Sequence, residues 1–63
     1  MLSQTMYQVQ VETRQDKPEF VGPAMSNPET LYDLAAAINL NVAKGREKEW
    51  HNAHVVQLST QRN

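Results

Sequence analysis

The sequence predicts a small α+β fold, in which a three-stranded, mainly antiparallel sheet carries one helix on one face. Three observations indicate this ββαβ arrangement. Apolar and polar residues alternate over 7–13, apolar residues recur at helical spacing over 27–45, and a segment with two central valines follows over 50–59. Periods of two and of 3.6 residues are typical of a half-buried strand and an amphipathic helix. If the helix crosses back over the sheet, the last strand pairs beside the first, which gives the strand order 2-1-3.

The first predicted strand has one apolar and one polar face. Its β-branched and aromatic residues favour a strand, and their alternation with polar residues places one face on the core. The polar segment 14–18 that follows ends in Pro18 and predicts a hairpin loop. We expect Tyr7, Val9, Val11 and Thr13 to face the core, and Gln8, Gln10 and Glu12 to face outward.

The second predicted strand is short and lies at an edge of the sheet. It comprises residues 19–21, because Gly22 and Pro23 interrupt it. Proline cannot donate a hydrogen bond to a ladder and is therefore confined to edges or bulges. Phe20, the only phenylalanine, is expected to anchor the core from this strand.

Two capping patterns predict where the helix begins. Asn27 can cap it with Pro28 at the first helical position, where the missing N–H of proline is harmless. Alternatively, Ser26 caps the helix and Glu29, three residues later, completes a capping box. At the other end, Gly45 supplies the left-handed residue at which many helices stop.

The predicted helix carries apolar residues on two different sides. One sector, about 100° wide, is the stripe that faces a sheet. A single sheet covers only one side of a helix, so a second apolar side would remain exposed to solvent. Alanines on that side would let another helix approach, although alanine also favours helices and single exposed leucines are common. The sheet-facing residues are Leu31, Leu34, Ala35, Ile38 and Val42, and the second stripe is Tyr32, Ala36, Leu40 and Ala43.

The last predicted strand is apolar on both faces. If Val56 and Leu58 face away from the helix, they are exposed on the uncovered face of the sheet. Trp50, at the start of this strand, has two interpretations. It can be a binding anchor, but we favour packing against Val42 beside the end of the helix, because tryptophan is usually mostly buried.

Length and composition bound the class of protein. Sixty-three residues make one domain, expected over 6–59, with flexible tails at 1–5 and 60–63. A chain this short buries only about 60% of its unfolded surface, so its core gains from self-association or from a partner. The lack of cysteine excludes disulfides and thiolate metal sites. Without a signal-peptide pattern at the N-terminus, we expect a cytoplasmic protein.

No catalytic, cofactor-binding or metal-binding residues are expected. His51 and His54 are three residues apart on a strand, so they point to opposite faces unless the segment is helical or bulged. Glu29 and Asp33 share one solvated face of the helix, and the two glycines are isolated rather than part of a phosphate-binding loop. A domain of this size offers little volume for a substrate pocket. Enzymatic activity is therefore not expected.

The surplus of apolar surface favours a small protein-protein interaction module, most simply a homodimer. A dimer doubles a small core, and the contact can use either the second helix stripe or the uncovered face of the sheet. The expected interface residues are Tyr32, Ala36, Leu40, Ala43, Trp50, Val56 and Leu58.

Two alternatives remain open. One is a monomeric adaptor or inhibitor that binds a larger host complex through a strand edge or the charged 46–49 loop. The order of hairpin, helix and strand resembles that of some small phage-encoded inhibitors of bacterial RNA polymerase, although their prominent basic residues have no counterpart in 50–59. The other is nucleic-acid binding, which the net charge of −1 disfavours. It would require Arg14, Lys17, Arg46, Lys48 and Arg62 to cluster.

Overall fold

The structure, a computed structural model, describes the backbone of residues 3–58 and 61–62 and the side chains of residues 5–58. Its elements are β1 (Ser3–Gln4), β2 (Tyr7–Thr13), β3 (Glu19–Met25), α1 (Glu29–Ala43), β4 (Trp50–Gln57) and β5 (Gln61–Arg62). The three long strands form an antiparallel sheet in the order β3-β2-β4, and α1 packs against it. The predicted ββαβ fold with strand order 2-1-3 is confirmed.

The two short strands lie within the segments for which the sequence predicted tails. β1 and β5 pair antiparallel and form a separate two-stranded sheet. Within the described residues, each contributes two residues to this pairing. This second sheet could not be predicted from the sequence, because two polar residues show no period.

The core lies between α1 and the centre of the sheet. Val9 and Val11 of β2 are fully buried, and Leu31 of α1 is 1% exposed. The predicted sheet-facing stripe of the helix is confirmed, since three of its members are buried and the other two, Leu34 and Val42, pack at the margin. Among the side chains that the structure describes, the buried hydrophobic ones are Val9, Val11, Leu31, Ala35, Ile38 and Ala53.

β3 is an edge strand, as predicted, but it continues through Gly22 and Pro23 instead of being interrupted there. The register shifts between Tyr7 and Val9, so the extra residues of β3 form a bulge opposite β2. Gly22 adopts a φ of 78° in this bulge, and Gln8 Nε2 donates a hydrogen bond to its carbonyl at 2.7 Å. The predicted interruption is wrong because a bulge at a sheet edge accommodates both residues.

Asn27 caps the first turn of α1. Its Oδ1 accepts a hydrogen bond from the Glu29 N–H at 3.0 Å, and Pro28 already has helical backbone angles (φ −81°, ψ −5°). The Pro28 carbonyl accepts from the Tyr32 N–H at 3.0 Å. This is the first of the two predicted capping patterns, in which the missing N–H of proline leaves no donor unsatisfied.

No helix within the described residues is long and apolar enough to cross a membrane.

The other end of α1 is a Schellman motif with Gly45 in the left-handed conformation (φ 74°). The Gly45 N–H donates to the Val42 carbonyl at 3.1 Å, and the Arg46 N–H donates to the Asn41 carbonyl at 2.9 Å. These two bonds satisfy carbonyls that would otherwise lack partners in the last turn. The predicted helix stop at Gly45 is confirmed.

Replacing Gly45 by alanine should lower the free energy of unfolding by about 1–2 kcal/mol, because a Cβ disfavours the left-handed conformation. Apart from its chain neighbours, no described residue has an atom within 4 Å of the position that a Cβ would occupy, so the cost comes from the backbone alone. Asparagine tolerates this conformation better, and Gly45→Asn should therefore cost less. Urea unfolding followed by circular dichroism measures both variants. Equal losses would contradict this explanation.

Candidate interaction surfaces

The second apolar stripe of α1 lies on its solvent side. Tyr32 is 58% exposed and Leu40 is 54% exposed, and Ala36 and Ala43 between and beyond them are also exposed. We call these four residues the outer helix stripe. They point away from the sheet, so the fold of a single chain leaves them uncovered.

The outer helix stripe carries charges of opposite sign at its two ends. Glu29 and Asp33 are exposed near the N-terminal end of α1, and Asp33 lies on the same side as Ala36, three residues later. Lys44, four residues after Leu40, is exposed just beyond the C-terminal end. The stripe therefore runs from an acidic end to a basic end.

No described element packs against the face of the sheet opposite α1, and strand register identifies the residues of this face. Gln8 and Gln10 alternate with the buried valines of β2 and so point away from the helix. Residues directly opposite in an antiparallel pair lie on the same side of a sheet. Val56 is opposite Gln8, whereas Gln10 lies between His54 and Phe20. We call this surface the open sheet face.

Phe20 lies on the open sheet face rather than in the core, and it is 53% exposed. The prediction that it anchors the core is wrong. The hairpin pairs Phe20 with Gln10 and Val21 with Val9, so Val21 faces the core instead. Local composition could not reveal this, because neighbouring residues of a strand point to opposite faces and only the register decides between them.

Val56 points away from the helix, but it is half-buried, so the exposure that this orientation was expected to bring is not found. Leu58 is also half-buried, and its N–H donates to the Met6 carbonyl at 2.8 Å, which extends the pairing beyond β4. These residues add apolar surface at the end of the sheet remote from the hairpin loop.

A polar cleft of about 490 Å³ lies where the open sheet face meets the hairpin loop. The register shifts between Glu12 and Thr13, which pair with Asn52 and Trp50, so His51 is bulged out of β4. The two histidines were expected to point to opposite faces of a regular strand, and the bulge is one of the two exceptions that bring them to one cleft. The cleft is lined by Gln10, Glu12, Thr13, Asp16, Pro18, His51 and His54.

The described residues of the cleft form no cluster of metal ligands. Within the described part of the chain, no three histidine or carboxylate side chains are grouped closely enough to hold a metal ion. Its two carboxylates belong to Glu12, on the sheet, and Asp16, in the loop. The chemistry that this cleft offers is a negatively charged, hydrogen-bonding surface.

Trp50 closes one end of the core. Its ring packs partly buried against the core cluster, and its indole Nε1–H donates to Glu19 Oε2 at 3.2 Å. Trp50 and Val42 border the same cleft beside the end of α1. This placement agrees with the favoured interpretation, in which Trp50 packs rather than projects.

Asn39 occupies the free edge of β4. Its Oδ1 accepts from the Ala53 N–H at 2.7 Å, and its Nδ2 donates to the Ala53 carbonyl at 2.8 Å. The side-chain amide thus takes the place of a neighbouring strand at the middle of β4. At the opposite edge of the sheet, Gly22 and Pro23 break the regular ladder of β3. Neither edge offers an unbroken row of backbone groups.

Acidic residues interrupt the basic residues that nucleic-acid binding would use. Arg14 Nε donates to the Lys48 carbonyl, and the Arg14 N–H donates to the Glu49 carbonyl at 3.2 Å. Glu47 and Glu49 line the same cleft as Arg14 and Lys48. The side chain of Arg62 lies outside the described residues. The basic residues of this cleft therefore lie among acidic ones.

Comparison of the chain with protein-family models, with curated proteins and with solved structures gave no match. The function is therefore inferred from the outer helix stripe, the open sheet face and the polar cleft alone.

Proposed function

We propose that this protein is a small interaction module that forms a homodimer through the outer helix stripe and has no catalytic activity of its own. The observation that supports this most directly is the exposure of Tyr32 and Leu40 on one side of α1, with alanines between and beyond them. A single exposed leucine is ordinary, but a continuous apolar stripe is typical of a helix face that packs against another element.

The charges favour an antiparallel arrangement of the two helices. In this arrangement, Leu40 of one copy packs against Ala36 of the other. The two-fold axis then places Asp33 of each copy close to Lys44 of the other, with Tyr32 beside Ala43. Carboxylate then faces ammonium at both ends of the contact, and the helix dipoles also run in opposite directions. A parallel pair would instead oppose like charges, which is unfavourable.

The small core gives this association a physical reason. The described part of the chain fully buries only a few side chains, the largest being Leu31, Val9 and Val11. Domains of this size rarely obtain more than about 3–5 kcal/mol from a single core. Covering two outer helix stripes removes further apolar surface from water, at roughly 25 cal/mol per Å². Dimerisation would thus also stabilise the fold.

Leu40→Glu is expected to weaken the dimer by about a hundredfold or more, because each dimer buries this residue twice. Sedimentation equilibrium over a range of concentrations measures the change. Asn41→Glu is the matched control, since it adds the same charge at the next, exposed position on a different side of the helix. A monomeric wild-type protein, or equal association of Leu40→Glu and wild type, would remove the proposal.

Charge reversal tests the antiparallel arrangement separately. Asp33→Lys and Lys44→Asp should each weaken association, because each places like charges together at both ends of the contact. The double variant restores opposite charges and should recover much of the lost affinity. If the double variant is as weak as the sum of the single ones, the helices do not pair in this orientation.

The second candidate is a monomeric adaptor or inhibitor that binds a larger complex. Addition of a partner strand to the sheet is disfavoured, because Asn39 covers Ala53 on one edge and Pro23 disrupts the other. Exposure of Phe20 favours the open sheet face as the surface for such a partner. This candidate does not require dimerisation.

A further inference from the structure

We propose that the open sheet face and the adjoining polar cleft bind a segment of a partner protein in which an arginine or lysine lies next to an apolar side chain. This proposal goes beyond homodimerisation and does not depend on it, because it uses the opposite side of the domain from the outer helix stripe.

The apolar half of the surface is built around Phe20. Its ring is 53% exposed on an uncovered sheet face, where the strand register fixes its position. In the same row across the sheet, Gln10 is directly opposite Phe20 and His54 lies beyond Gln10, and both offer hydrogen-bonding groups. An aromatic side chain surrounded by polar groups is the usual composition of a binding anchor with its rim.

The charged half of the surface is the polar cleft. Gln10 is opposite Phe20 and also lines the cleft, so the two halves adjoin. Among the side chains that the structure describes, Glu12 and Asp16 are the only carboxylates in the lining, and neither lysine nor arginine contributes to it. A volume of about 490 Å³ can accept one long cationic side chain. A guanidinium there would meet carboxylates and lie near an aromatic ring.

Charge distinguishes this occupant from other classes of partner. A phosphate backbone would be repelled by Glu12 and Asp16, beside which the described lining places no lysine or arginine. A second copy that bound here by two-fold symmetry would bring its own Glu12 and Asp16 against the same two carboxylates, and like charges would repel. A protein segment with one basic and one apolar side chain satisfies both halves of the surface.

The test uses the full chain carrying Leu40→Glu, so that dimerisation cannot affect the result. A displayed library of random 12-residue peptides is selected for binding to it. Peptides with arginine or lysine beside an apolar residue should be enriched. The affinity of an enriched peptide should fall about tenfold or more when its basic residue is replaced by a neutral isostere, such as citrulline for arginine.

Variants of the protein locate the binding. Phe20→Ser and the double variant Glu12→Gln with Asp16→Asn should each lower the affinity about tenfold, whereas Glu49→Gln, an acidic residue outside the polar cleft, should not. Circular dichroism confirms that each variant is folded. Three results would overturn the proposal: no enrichment of peptides, enrichment without basic residues, or affinity that these variants leave unchanged.

Discussion

Replacing Leu31 by alanine should lower the free energy of unfolding by about 2–5 kcal/mol, which is the usual cost of emptying a buried leucine site. Leu31 is 1% exposed and is among the largest fully buried side chains. Because the total stability of such a small domain is rarely above about 3–5 kcal/mol, much of the variant should be unfolded at 25 °C. Far-ultraviolet circular dichroism and urea titration measure the loss.

Leu40→Ala is the matched control for that experiment. It makes the same chemical change in the same helix, but Leu40 is 54% exposed. Both variants should be measured at low protein concentration, where dimerisation does not contribute to stability. Leu40→Ala should then change the free energy of unfolding by less than about 0.5 kcal/mol. Similar losses for the two variants would mean that α1 does not pack on the sheet through Leu31.

Asn39→Asp replaces only the NH2 group of the side chain by an oxygen. Outside the apolar core, it should be the substitution of this kind that lowers the free energy of unfolding most. A carboxylate can still accept from the Ala53 N–H, but it cannot donate to the Ala53 carbonyl, from which Asn39 Nδ2 is now 2.8 Å away. A partly buried carbonyl would lose its partner and face a negative charge. The expected cost is about 1–3 kcal/mol.

Asn41→Asp makes the same change two residues later in the same helix. The Asn41 side chain is exposed, and the two positions feel a similar unfavourable interaction with the C-terminal end of the helix dipole. The difference between the two variants, measured by thermal or urea unfolding, therefore isolates the contact with β4. If both variants lose the same amount, the amide of Asn39 does not hold the edge of β4.

Much of the fold could be predicted because its strongest signals are local. Alternation over β2 places Val9 and Val11 in the core, and helical spacing places Leu31, Ala35 and Ile38 opposite them. These patterns agree with the folded structure because each one arises from a single element that places one face on a single core. The two ends of the helix could also be predicted, because the Asn27 cap and the Gly45 stop depend on interactions within a few residues.

The features that were missed depend on pairing between distant residues. Phe20 faces outward because of the hairpin register, and His51 shares a cleft with His54 because of a bulge opposite the end of β2. The contact between Asn39 and Ala53 joins residues fourteen positions apart and carries no sequence period. One weak signal existed, since Asn39 is a polar residue between the apolar residues Ile38 and Leu40 of the helix.

The only tryptophan of the chain gives its folding a built-in optical reporter. The indole of Trp50 reaches across the end of the sheet to the carboxylate of Glu19, so its emission depends on the closure of β4 towards β3. This ring belongs to neither the outer helix stripe nor the open sheet face. Intrinsic fluorescence can therefore be used to follow unfolding. Ligand binding at Phe20 and assembly at Leu40 require other probes.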